Sequence, residues 1–81
     1  MDMILIFPRS DVCQVTVMGV DGSIHRSEIT QTKHLDSLIA RLMQEFKTDR
    51  SFLWMEKLCR WSVYVAGRGI FFVKNLKEWY E

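Results

Sequence analysis

One proline, four glycines and two cysteines are spread through 81 residues. So little proline and glycine excludes a collagen-like or low-complexity chain. Two cysteines without a CxxC pair exclude a disulfide-dense scaffold, and their spacing to His25 and His34 matches no zinc-site pattern. A Cys13–Cys59 bridge stays open, because sequence does not set their separation. The simpler expectation is two reduced thiols, each at least partly buried, in a cytoplasmic protein. Long apolar runs are missing as well. The first, residues 3–7, stops at Pro8 and has no basic segment before it, so neither a signal peptide nor a membrane span is expected. Catalytic signatures are absent too: there is no nucleophile elbow, Walker loop, HExxH pair or dinucleotide fingerprint. The chain is therefore read as a non-enzyme without metal or cofactor.

What is present is a large apolar supply. The hydrophobic fraction is 48%, with three Trp, five Phe and two Tyr. This argues against disorder and makes an apolar surface patch for a partner plausible. Charge is nearly balanced overall but not locally. Residues 1–46 hold four bases and six acids, a net of −2, whereas residues 47–77 hold seven bases and two acids, a net of +5. Such a half can attract phosphate or an acidic protein surface, although ordinary solvated charge explains it too.

The clearest periodicity lies in residues 32–46. Leu35, Leu38, Ile39, Leu42, Met43 and Phe46 follow a 3.6-residue spacing, with Asp36, Ser37, Ala40, Arg41, Gln44 and Glu45 on the opposite side. An amphipathic helix is expected, capped by Thr32 and burying Leu38, Ile39 and Leu42. Asp36 near its start and Lys47 after its end suit the helix dipole.

Before it, residues 3–7 read as a central strand covered on both faces and ended by Pro8. Residues 12–18 read as a second strand, and Asp21-Gly22 signals a hairpin to a third. A three-residue loop, Val20-Asp21-Gly22, puts Cys13, Val15 and Val17 on one face with His25, Ser27 and Ile29. A two-residue loop sets Val15 and Val17 opposite Glu28 and Arg26. The first register separates apolar from charged faces better and is the one expected.

After the helix, residues 51–60 read as a second, shorter helix, apolar over most of its circumference through Phe52, Leu53, Trp54, Met55, Leu58 and Cys59. Burial inside the fold is the plain explanation of so broad a face; self-association as a homodimer is the other. Residues 62–66 and 70–74 are β-rich and joined by Gly67-Arg68-Gly69, a tight hairpin. Asn75 to Glu78 has capping-box spacing, so a last helical turn would carry Leu76, Trp79 and Tyr80 on one side. The expected fold is a single α+β domain over residues 1–81. Its sheet is mainly antiparallel, in the order β-β-β-α-α-β-β with helices packed on one face. A β-grasp and a winged helix (helix pair 34–60, wing 62–74) are the alternatives.

One short segment resembles a known signature. Phe71-Phe72-Val73-Lys74-Asn75-Leu76 is similar to the shorter conserved motif of RNA recognition motif domains. In that family the motif opens the domain, whereas here it lies near the end of the sequence, and no binding role is carried over. The expected function is a small protein-binding module: an inhibitor, adaptor or antitoxin-like regulator of phage or plasmid type, occluding a larger protein. Arg68, Lys74, Lys77, Trp79 and Tyr80 are the candidate partner-binding residues. The alternative is a nucleic-acid binder that uses the basic residues 47–77, with Tyr64, Phe71 or Phe72 for stacking. No membrane partner is expected.

Overall fold

The computed structural model describes residues 2–79. Three strands open the chain: β1 (Asp2–Arg9), β2 (Val12–Gly19) and β3 (Ile24–Gln31). A 3-10 turn, Thr32–His34, leads into helix α1 (Leu35–Glu45). Strands β4 (Arg50–Met55), β5 (Arg60–Val65) and β6 (Gly69–Val73) follow, with 3-10 turns at Glu56–Leu58 and Leu76–Trp79. The strands form one six-stranded sheet in the order β3-β2-β1-β4-β5-β6. β1 and β4 are parallel, and every other neighbouring pair is antiparallel. A parallel pair needs a crossover, and α1 supplies it by carrying the chain from the β3 edge to the middle of the sheet.

This corrects the expected order. Residues 51–60 are not a helix but β4, a 3-10 turn and the start of β5, so α1 is the one α-helix among the described residues. Neither the β-β-β-α-α-β-β order, nor the β-grasp, nor the winged helix holds. The physical reason lies in β4, which is sandwiched between two layers of side chains. Phe52 is fully buried against one cluster, while Leu53 packs against the other. A strand buried on both faces has no polar alternation, and a short apolar run is then indistinguishable from a buried helix. The turn between β4 and β5 is closed by Cys59 at φ 49, a left-handed residue that ends any helix there.

β1 has the central, doubly covered place expected of it. Ile4 and Ile6 join the cluster under α1, and Met3 and Leu5 join the opposite one. Pro8, however, does not end the strand. It pairs with Cys13 beyond Ile4 to Ile6, where β4 lies alongside, so the strand is laddered on one side only at this point. A missing donor is tolerated where one side of a strand is unpaired.

α1 buries Leu38, Ile39 and Leu42 on β1 and β2, with Leu35, Met43 and Phe46 at the margin, as its periodicity requires. Its start differs from expectation. The helix begins at Leu35 with no side-chain cap. Thr32 instead donates its amide to the Asp11 carbonyl at 2.8 Å and sets its hydroxyl 3.7 Å from the Cys13 thiol.

The β2–β3 hairpin is half as expected. The loop is the three-residue one: the Gly19 amide bonds the Ser23 carbonyl at 2.8 Å, and Gly22 sits at φ 88. Yet Val15 lies opposite Glu28 and Val17 opposite Arg26, the register expected of the shorter loop. The ladder shifts by one between Met18–Ile24 and Val17–Arg26, leaving His25 as the extra residue of a bulge. Arg26 and Glu28 therefore share the face with α1, where Arg26 pairs with Glu45 and Glu28 with Arg41. Charge on the helix-facing side of β3 is matched by the helix rather than avoided.

The sheet curls around its other face. The Phe7 and Trp61 rings, two strands apart, meet edge-on at 5.4 Å, and Trp54 meets Trp61 at 5.3 Å. Phe52, Val63, Val65 and Val73 are sealed there, with Leu76 and Trp79 of the last 3-10 turn packed over them. Cys13 is buried and Cys59 exposed; both are free thiols, so the expectation of two partly buried cysteines holds only for Cys13.

Candidate functional site

On the α1 side the sheet is covered over only part of its width. The helix and the side chains packed under it cover β1, β2 and β3 and reach Leu53 of β4, and strands β5 and β6 are left without a second layer among the described residues. Strand alternation determines what they show. In β5, Val63 and Val65 point to the sealed face, so Ser62 and Tyr64 point to the helix side. Tyr64 stands opposite Ile70 and Ser62 opposite Phe72, which brings both β6 residues to the same side. Tyr64, Ile70 and Phe72 are 44%, 73% and 64% exposed.

Beside this row runs a groove of about 1130 Å³, walled by Leu35, Ile39 and Met43 of α1 and floored by Leu53, Tyr64 and Ile70. Ser51 and Ser62 lie in its floor, nearly buried. Asp36, Arg41, Gln44 and Asp49 line its helix-side rim. The Asp49 carboxyl is held below its ordinary value by the hydrogen bond from the Arg50 side chain, with Arg50 charge adding to it. The groove is thus apolar inside and charged at the margin, a form that suits a side-chain-bearing partner.

The basic residues gather on the β6 side. The Arg60 guanidinium lies 5.7 Å from the Phe72 ring centre, and Arg68 lies 5.9 Å from that of Phe71. Such contacts keep ring and cation together, and they lie on opposite faces of β6: Phe72 is exposed on the helix side, and Phe71 is half-buried on the sealed side. Gly67 at φ 78 and Gly69 at φ 101 bracket Arg68 and make the tight hairpin that holds it at the tip.

The sequence-derived site residues divide between two places. Arg68 and Lys74 flank β6 at its two ends, next to Ile70 and Phe72, and both are exposed. Lys77 is exposed in the last 3-10 turn, where its amide bonds the Asn75 side chain at 3.1 Å. Trp79 is half-buried on the sealed face, its ring 5.6 Å from that of Phe71 and its carbonyl accepting from Arg50 at 3.0 Å. Trp79 thus closes the second core. Tyr80 lies outside the described residues. Ile70, Leu53 and the groove wall of α1 were missed, because reading residues 51–60 as a helix hid the uncovered floor. The signal was there in residues 60–73, where Tyr64, Ile70 and Phe72 fall on one face once both segments are taken as paired strands.

Among the described residues no cluster of three His, Cys, Asp or Glu side chains could hold a metal ion, and no helix is long and apolar enough to cross a membrane. His25 faces Asp2 at 3.2 Å and stacks near Phe46, which ties the hairpin to α1. No family model, curated protein or solved structure matches the chain.

Proposed function

We propose that this chain is a small non-enzymatic protein-binding module, an inhibitor, adaptor or antitoxin-like regulator that occludes a surface of a larger cytoplasmic protein. The observation that carries this reading is the uncovered apolar face of β5 and β6. A sheet face rich in large apolar side chains is ordinarily buried against another layer. Here α1 covers β1 to β4, and Tyr64, Ile70 and Phe72 of β5 and β6 stand exposed beside a groove. A contiguous exposed patch of this kind, rimmed by polar groups, marks an interaction site.

The test is capture from nuclease-treated extract of the native host with the wild-type chain and with an Ile70→Ser, Phe72→Ser variant. One protein retained by wild type and lost by the variant, at unchanged melting temperature, is the expected result. Equal capture by both would remove the surface from the reading.

The packing of Arg60 on Phe72 and Arg68 on Phe71 favours a second reading, as a single-stranded nucleic-acid binder. Arg60 beside the exposed Phe72 ring offers a phosphate contact and a stacking surface, and Arg68 adds a second exposed cation at the hairpin tip. That reading predicts oligonucleotide affinity that falls steeply with salt and is lost in an Arg68→Glu, Lys74→Glu variant.

A further inference from the structure

The sheet ends in two unlike edges. At one, β3 carries the His25 bulge, and its helix-side residues Arg26 and Glu28 are engaged by Glu45 and Arg41. Bulges and inward-facing charges are devices by which an edge resists further pairing. At the other, β6 runs without a bulge as Gly-Ile-Phe-Phe-Val and pairs, among the described residues, with β5 alone. No charge lies within the strand. Ile70 and Phe72 expose their side chains on the helix side, and Phe71 is half-buried on the other. Just outside the strand, Arg68 at one end and Lys74 at the other are both basic and exposed.

We propose that the β6 edge takes up an extended segment of a partner protein as an additional strand, and that this segment is apolar at its centre and acidic at both ends. The inference deepens the protein-binding reading above and rests on it. Backbone groups along the outer side of β6 supply a ladder of hydrogen bonds, the usual source of affinity in strand addition, and alternate side chains supply specificity. On the helix side, incoming apolar residues extend the row of Tyr64, Ile70 and Phe72 and exclude water from it. At the two ends, acidic residues meet Arg68 and Lys74.

Charge also decides against a second copy of this chain. Antiparallel pairing of β6 with itself about Phe71 sets Arg68 against Lys74 at both ends. Like charges directly opposite destabilise a strand pair. Because both flanks are basic, an acidic-ended segment fits in either direction, so charge selects composition and leaves polarity to the side chains.

The experiment is a selection of displayed random peptides against the full chain, followed by hydrogen exchange on the complex with the best synthetic peptide. The expected peptides have a short run of β-branched or aromatic residues with Asp or Glu on each side. Their binding should slow exchange in β6 and weaken roughly tenfold or more in an Arg68→Glu, Lys74→Glu variant that melts like wild type. Peptides with helical spacing that protect α1 and β4 instead would overturn the edge inference and leave the protein-binding reading standing. The same split follows if no peptide is enriched while a host protein is still captured through Ile70 and Phe72. Binding of oligothymidylate with steep salt dependence, and of no peptide or host protein, would overturn both. A mass that rises to a dimer with concentration, reversed by Phe72→Lys, would show that the chain covers its own edge.

Discussion

Gly22 and Asp21 turn the first hairpin by different means. Gly22 sits at φ 88 with open space where a Cβ would stand, so the cost of a side chain there is backbone strain alone. Gly22→Ala should lower stability by about 1–2 kcal/mol, read from a denaturant midpoint. Asp21 accepts from the Ser23 hydroxyl at 2.7 Å and from the Ser23 amide at 3.0 Å. Those bonds, the hydroxyl's first, hold its carboxyl below the ordinary value of 3.8. A carboxyl with a lowered folded-state pKa contributes stability above its unfolded value and loses it as pH falls through the folded one. Asp21→Asn keeps an acceptor and removes the titration. The variant should be slightly less stable than wild type at neutral pH, and the gap should close on acidification below about pH 4. Parallel acid melting curves for the two proteins would contradict that account of the turn.

At the scale of elements, α1 is the lid of one core, and its two faces should differ sharply. Leu42 is fully buried between β1 and β2 side chains, so Leu42→Ala should cost about 2–4 kcal/mol. Glu45 pairs with Arg26 and Arg41 with Glu28, but these side chains are substantially exposed. Replacing either by Ala should cost about 0.2–1 kcal/mol, and a melting series across Asp36, Arg41, Leu42 and Glu45 checks the contrast. This helix was legible in the sequence because burial on one face left a 3.6-residue pattern, and the first central strand because its run of five apolar residues, closed by Pro8, is too short for a helix. Strand β4 was not, because Phe52 is buried on one face, Leu53 is half-buried on the other, and the run between Ser51 and Glu56 is apolar throughout. The β2–β3 register escaped for a different reason. Separating charged from apolar residues is a sound rule only when nothing charged stands across the face, and here Glu45 and Arg41 of α1 do. The loop itself was readable from Asp21 and Gly22; the bulge at His25 carried no local mark.

For the whole molecule the consequence of reading one helix too many is functional. A second helix would have covered the β5–β6 side of the sheet, and its absence among the described residues is what leaves Tyr64, Ile70 and Phe72 uncovered. Arg68 and Lys74, picked out from sequence as a loop-tip cation and a strand-end cation, fall at the two ends of that exposed strand. Trp79, picked out with them as an aromatic anchor, lies on the sealed face against Phe71, where loss of its ring should appear as loss of stability. The sequence held no clue to which face the aromatic would take, since that depends on how the last turn folds back over β6.

A partner protein is expected to sit on the uncovered β5–β6 side of the sheet. Hydrogen exchange of the chain, alone and saturated with the protein it captures from its host, tests this most directly. Exchange should slow in β5 and β6, extending to the groove wall of α1, with β2 and β3 unchanged. Protection centred on the β2–β3 hairpin and the outer face of α1, with β5 and β6 exchanging as before, would contradict it.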